Sequence, residues 1–155
     1  MPTAKFPLVV TGTLGYDHIM NFPGRFADRI MPDKIHQLSL SFLVDTLKKQ
    51  FGGTGGNVAY TAKLLGLDPT LIAPGGKDFA KYMVFLKRNG MRTSGICILR
   101  NVDTGAYFVV TDMDDNQIGS FYLGAMKYAH TLSLPKTGFV VIASNTPSAL
   151  ASYVK

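Results

Sequence analysis

Residues 51–66, FGGTGGNVAYTAKLLG, place four glycines and an asparagine in the six positions from Gly52 to Asn57, immediately ahead of a run with helical spacing. Glycine carries the largest conformational entropy cost of any residue on folding. A chain keeps such a run where the backbone must turn sharply or where something must lie against it. The run that follows predicts a helix with Asn57 as its N-cap. Val58, Ala62 and Leu65 fall on one face, and Gly66 with Pro69 ends it.

Short β-rich runs flank this unit. PLVVTGT (7–13), TLIAPGG (70–76) and GFVVIAS (138–144) are apolar on both parities and end in small or turn-forming residues, the pattern of buried parallel strands. A second helix is predicted over FAKYMVFLKRNG, with Phe79, Met83 and Leu86 inward and Gly90 as its stop. Strands alternating with helices predict a parallel α/β sheet. Thr104–Gly124 reads differently, as two aromatic and β-branched runs around the polar tip DMDDNQ, hence a hairpin. GICILRN, DRIM and TLKKQF are candidates to extend it. A small antiparallel sheet is therefore expected from strands within 28–52 and 95–124. Residues 35–45 carry no decisive pattern. After Gly138–Ser144 a helix begins with Pro147 in its first turn. That strand needs cover on both faces, so the chain is expected to be the front portion of something longer.

Composition narrows the function classes. With 46% hydrophobic and 17% charged residues, the chain belongs with globular domains. Its one cysteine, Cys97, excludes an internal disulfide framework, fits a reducing cytoplasm and is expected in the core. Neither a secretory signal nor a membrane-length apolar run is visible, so no membrane partner is expected. All ten acids are aspartate, and the formal net charge is +6. The lysines are scattered without an aromatic-interleaved stripe, so nucleic acid is not the expected partner. DMDDNQ lacks the glycine and glutamate of a calcium loop, and His18, His36 and His130 lack ligand spacing. No metal site is expected in the chain.

The glycine run fits neither common nucleotide signature. Counting G-x-G-x-x-G from Gly53 meets Val58 at the third glycine, and no Walker sequence exists. A glycine loop opening a helix still presents N–H groups and admits close approach of a ligand, with Asn57 able to donate and accept. A polyhydroxylated ligand suits this mix, and a tight turn with a capping asparagine is the alternative.

Taken together, GGTGGNVAYTAKLLGLDPTLIAPGG resembles the N-terminal signature of the PfkB, or ribokinase-like, carbohydrate and nucleoside kinases. Gly52, Gly53, Gly55, Asn57, Ala59, Gly66 and Gly76 stand at its spacing. TGTLGYDHIM, GGKDF and TGAYFVVTDMDDNQI resemble the family's first strand, its G-x-D turn and its lid hairpin. DHIMNFPGRFADRI resembles the adenosine kinase-like branch. The resemblance covers all 155 residues but only the first half of a member. It implies a ribokinase-like three-layer α/β sandwich with a small antiparallel β lid, truncated to the N-terminal half of a single kinase domain. It also implies transfer of the γ-phosphoryl of ATP, with Mg2+, to the hydroxymethyl group of an adenosine-like nucleoside or a sugar. Asp17 would accept hydrogen bonds from vicinal hydroxyls, and Gly52, Gly53 and Asn57 would line the sugar. Ala106 and Phe108, alternating on one face of a lid strand, would close over the ligand or pack the lid. The family's second signature, with the catalytic base, and its N-x-x-E motif are absent from 1–155, and no glutamate exists to supply the latter. The base and most ATP-binding groups are thus expected beyond Lys155, leaving this chain the acceptor pocket. Within the family the lid sometimes forms a dimer clasp. Other readings are a non-catalytic ribose- or nucleoside-binding module, a fragment of a ribose or fructose 6-phosphate kinase, and a subunit completing its site with another chain.

Overall fold

The computed structural model describes residues 7–154. In chain order the strands are β1 (Leu8–Thr11), β2 (Gly15–Asn21), β3 (Thr46–Gly52), β4 (Thr70–Gly75), β5 (Ile96–Ile98), β6 (Gly105–Thr111), β7 (Gln117–Tyr122) and β8 (Phe139–Ile142). The helices are α1 (Thr54–Leu64), α2 (Ala80–Arg88) and α3 (Pro147–Tyr153), with 3-10 turns at Phe26–Asp28, Pro32–Gln37 and Gly124–Thr131. The chain divides into two compact units. One takes the residues up to Tyr16, Phe51–Ala106 and those from Tyr122 onward, and the other takes Asp17–Gln50 and Tyr107–Phe121.

The first unit is built on a parallel sheet in the order β5-β4-β1-β8. Val9 faces Thr70 on one side and Val140 on the other, and Ala73 faces Ile96. The three strands expected from PLVVTGT, TLIAPGG and GFVVIAS are all here. Val10, Leu14, Tyr16, Ala59, Leu71, Ala73, Phe79, Tyr82, Leu86, Met91 and Ile96 form the core. Each large member contributes about 1.5–3 kcal/mol by leaving water. Helices α1 and α2 close in the same way. Leu67 N–H bonds Ala62 O and Met91 N–H bonds Leu86 O, both at 3.0 Å, around Gly66 and Gly90. The outer strand β8 is different: Phe139, Val140 and Val141 are exposed.

Three expectations are corrected here. GICILRN does not extend the hairpin, because β5 pairs in parallel with β4. Cys97 lies on that strand and is exposed, not in the core. Leu65 of the expected apolar face of α1 is also exposed; Ala62 of that face is buried as expected, together with Gly55, Gly56 and Ala59.

The second sheet runs β3-β2-β6-β7. TLKKQF supplies β3 as expected. DRIM supplies no strand, because the chain there turns through Phe26–Asp28 and meets Pro32. In the second unit the turn after β6 is organised by the buried Asp112. Its carboxylate accepts N–H bonds from Phe26, Asp114 and Asn116 at 2.9 Å each, and one from Asn116 Nδ2 at 3.2 Å. Residues 38–45 form no regular element, but Phe42 packs on Phe22 and Phe26 at 4.9 Å from each.

Candidate substrate site

The order β5-β4-β1-β8 contains a reversal. From β1 the chain steps outward to β4 and β5, then returns to the opposite side of β1 as β8. In open α/β sheets ligands bind beyond the carboxyl ends of strands at such a reversal. Here those ends are Gly12–Leu14 after β1 and Ala143–Asn145 after β8, joined by Ala143 N–H to Thr11 O at 2.8 Å. The glycine run and the start of α1 sit against the same ends. A Cβ on Gly12 would lie 2.7 Å from Gly55 Cα and 2.9 Å from Ala143 Cβ.

Thr13 governs the loop. Its Oγ accepts Thr54 N–H at 2.9 Å, and its carbonyl accepts Gly55 N–H at 3.0 Å and Gly56 N–H at 3.3 Å. The first amides of α1 are therefore used internally, which corrects the expectation of several free N–H donors. It also corrects the capping role of Asn57. The helix begins four residues earlier, with Gly53 at the N-cap position, and its cap is Thr13, remote in sequence. Asn57 lies in the first turn and is exposed. The Thr54 hydroxyl donates to Ser144 O at 3.0 Å and lies 3.2 Å from Thr13 Oγ, tying both strand ends to α1.

Gly53 makes the turn itself. It has φ of 93°, and a Cβ there would lie 2.7 Å from Leu14 Cα. Gly52 is buried, and its carbonyl accepts the Tyr82 hydroxyl at 3.0 Å. Among the described residues no acceptor engages the Gly53 N–H. Beside Ser144, the buried Nδ2 of Asn145 likewise has no partner among the described residues, although its Oδ1 accepts Thr146 N–H at 2.9 Å. Asn145 was not singled out from the sequence; its place directly after the last apolar strand was the available signal. The GGKDF turn is structural. Gly76 N–H donates to Thr104 Oγ at 3.0 Å, and Thr104 N–H donates to the Asp78 carboxylate at 2.7 Å.

Asp17 belongs to the second unit. It is half-buried on β2, and among the described residues no hydrogen bond or ion pair engages its carboxylate. Burial raises its pKa above the ordinary carboxylate value, partly offset by the neighbouring His18. His18 stacks on Phe108 with ring centres 4.4 Å apart and planes 16° from parallel. Consecutive strand residues point to opposite faces. Phe108 therefore lies on the face opposite Asp17, and Ala106 shares the parity of Phe108. The face with Asp17 carries Tyr107 instead, whose ring packs on Phe121 at 5.3 Å. The structure thus separates Phe108 from the acid that the sequence grouped it with.

A parallel sheet flanked by helices, with a glycine loop at its strand reversal, defines an α/β protein, and similarity to known proteins specifies the class. Residues 14–154 match the family described as pfkB family carbohydrate kinase; the chain belongs to that family. It is 28% identical over 130 residues to a nucleoside kinase of Methanothermobacter thermautotrophicus, spanning 83% of this chain and 39% of that protein. The structure of Burkholderia thailandensis nucleoside kinase in complex with inosine matches with a TM-score of 0.80 and 29% identity, over 94% of this chain and 47% of that one. The same kinase in complex with ADP-inosine matches at 0.63 and 37%, over 80% and 39%. The chain thus spans less than half the length of these relatives. The fold is that of ribokinase-like nucleoside kinases.

Proposed function

We propose that the chain supplies the acceptor pocket of a nucleoside kinase that transfers the γ-phosphoryl of ATP to a ribonucleoside hydroxymethyl group, with an adenosine- or inosine-like nucleoside as the leading substrate. The observation that carries this reading is the Asp17 carboxylate, half-buried and, among the described residues, without a hydrogen bond or ion pair. Burying a carboxylate without a donor is costly, and two acceptor-only oxygens match the two hydroxyls of a ribose diol. Gly52, Gly53 and Asn57 line the sugar, the Gly53 N–H and the Asn145 amide acting as donors. Tyr107, on the face of Asp17, takes the covering role, and Ala106 and Phe108 keep the packing role the sequence also allowed.

ATP supplies the phosphoryl group in this reading. The catalytic base and most ATP-binding groups are not assigned to this chain. No cluster of three metal-ligating side chains occurs among the described residues, and no glutamate is present. No metal step is assigned to these residues. No helix among the described residues is long and apolar enough to cross a membrane; a cytoplasmic location belongs to the proposal. So does a homodimer clasped through the second sheet, whose outer strands β3 and β7 are exposed along nearly their whole length.

Titration calorimetry of the chain with inosine, adenosine, ribose and fructose 6-phosphate tests the reading. Saturable nucleoside binding that weakens in Asp17→Asn supports it. Equal indifference to all four ligands overturns it, and preference for a free sugar moves the chain to the sugar kinases.

A further inference from the structure

We propose that Tyr82 is a positioning residue that locks the Gly52–Gly53 peptide plane so that the Gly53 N–H stays turned toward the ligand side of the loop. The inference rests on the acceptor-pocket reading above and extends it to a residue that touches no ligand.

Tyr82 stands in the first turn of α2 and is 2% exposed. Its ring lies nearly parallel to Phe51, 4.6 Å away and 20° inclined, and tilts against Phe79 at 4.9 Å. These contacts fix the direction of the phenol. Its hydroxyl donates to the Gly52 carbonyl at 3.0 Å. The same oxygen occupies the space a Cβ on Gly56 would need. One hydroxyl therefore braces the loop from both sides of its turn, before it at Gly52 and after it at Gly56.

In a trans peptide the C=O and the following N–H point in opposite directions. Because Tyr82 draws the Gly52 carbonyl into the core, the Gly53 N–H points away from it. The other amides of the turn, those of Thr54, Gly55 and Gly56, are committed to Thr13. Gly53 is the amide left over. A peptide flanked by two glycines has little side-chain resistance to rotation, so this orientation needs an external lock. The Tyr82 hydroxyl is that lock, and it explains the pairing of a large buried tyrosine with an absent side chain at Gly56.

The test uses Tyr82→Phe, which keeps the ring packing and removes only the hydroxyl. The direct readout needs no ligand: the residual dipolar coupling of the Gly53 N–H taken together with that of the Gly52 C′–Cα bond, which a flipped peptide reorients, measured against the amides of α1. The wild-type couplings should match the outward orientation, and Tyr82→Phe should shift or average them while the α1 couplings persist. Nucleoside affinity should fall about threefold to tenfold, the range of one neutral hydrogen bond. A second variant guards against simple misfolding. Gly56→Ala should lower the melting temperature of the wild type more than that of Tyr82→Phe, because the oxygen that the new methyl meets is gone. Unchanged couplings at both bonds in Tyr82→Phe, or equal melting losses in the two backgrounds, overturn the assignment. If the wild type binds no nucleoside, the functional reading fails and the couplings still decide the role of Tyr82.

Discussion

Asp17→Asn separates binding from stability at one atom. Both carboxylate oxygens are without internal partners among the described residues, so both are available to a ligand. The amide keeps the shape and one acceptor but replaces the other with a donor. At least one charge-assisted hydrogen bond is lost, about 1.5–3 kcal/mol, or roughly tenfold to 150-fold in affinity. The free protein should respond in the opposite sense. Burial raises the Asp17 pKa, meaning that the folded state disfavours the charged form. The ionised group therefore destabilises the fold at neutral pH, and that penalty is relieved as pH falls through the raised pKa. The neutral amide removes it, so the melting temperature of the variant at pH 7 should equal or exceed that of the wild type. Nucleoside affinity of the wild type should weaken as pH falls through that same raised pKa. Calorimetry and thermal unfolding on the same samples give both numbers. A variant that binds as tightly as the wild type, or one that melts clearly lower, refutes the argument that this acid is held unsatisfied for a ligand.

Other residues give independent checks. Gly53→Ala forces a side chain into φ of 93° and against the Leu14 backbone; denaturant unfolding should show a loss of about 1–3 kcal/mol or more. Thr13→Val removes the oxygen that caps α1 and meets Thr54; about 1 kcal/mol should be lost in the same assay. Asp112 is held below the ordinary carboxylate range: burial pushes its pKa up, and the N–H donors of Phe26, Asn116 and Asp114 outweigh that. Its contribution is complete above the unfolded value of about 3.9 and disappears as pH falls through the lower folded value. Acid unfolding followed by circular dichroism should therefore be less steep in Asp112→Asn.

What could be read from the sequence follows the range of the interactions involved. Strands β1 and β4 were visible because burial on both faces writes a continuous apolar run, and β8 carries the same kind of run although Phe139, Val140 and Val141 are exposed. Helix α1 was visible because its stop, Gly66, is local. Its start was misplaced because the cap is Thr13, 41 residues before Thr54 in the chain. GICILRN looked like part of the hairpin because a short apolar run does not reveal its partner, and β5 pairs with β4. The parity of β6 was ambiguous for another reason. Tyr107 and Phe108 are both aromatic, so alternation could not say which faces Asp17; the His18 stack resolves it. Asn145 was hidden because nothing in a sequence shows that a buried amide lacks an acceptor.

Strand β8 has a practical consequence. It stands last in the parallel sheet and shows Phe139, Val140 and Val141 to solvent. An exposed oily margin of this kind is a template on which another strand can add. Handled at high concentration without a cover for that margin, the polypeptide should stick to itself there first, and a lysine in place of Val140 is the simplest way to keep it in solution.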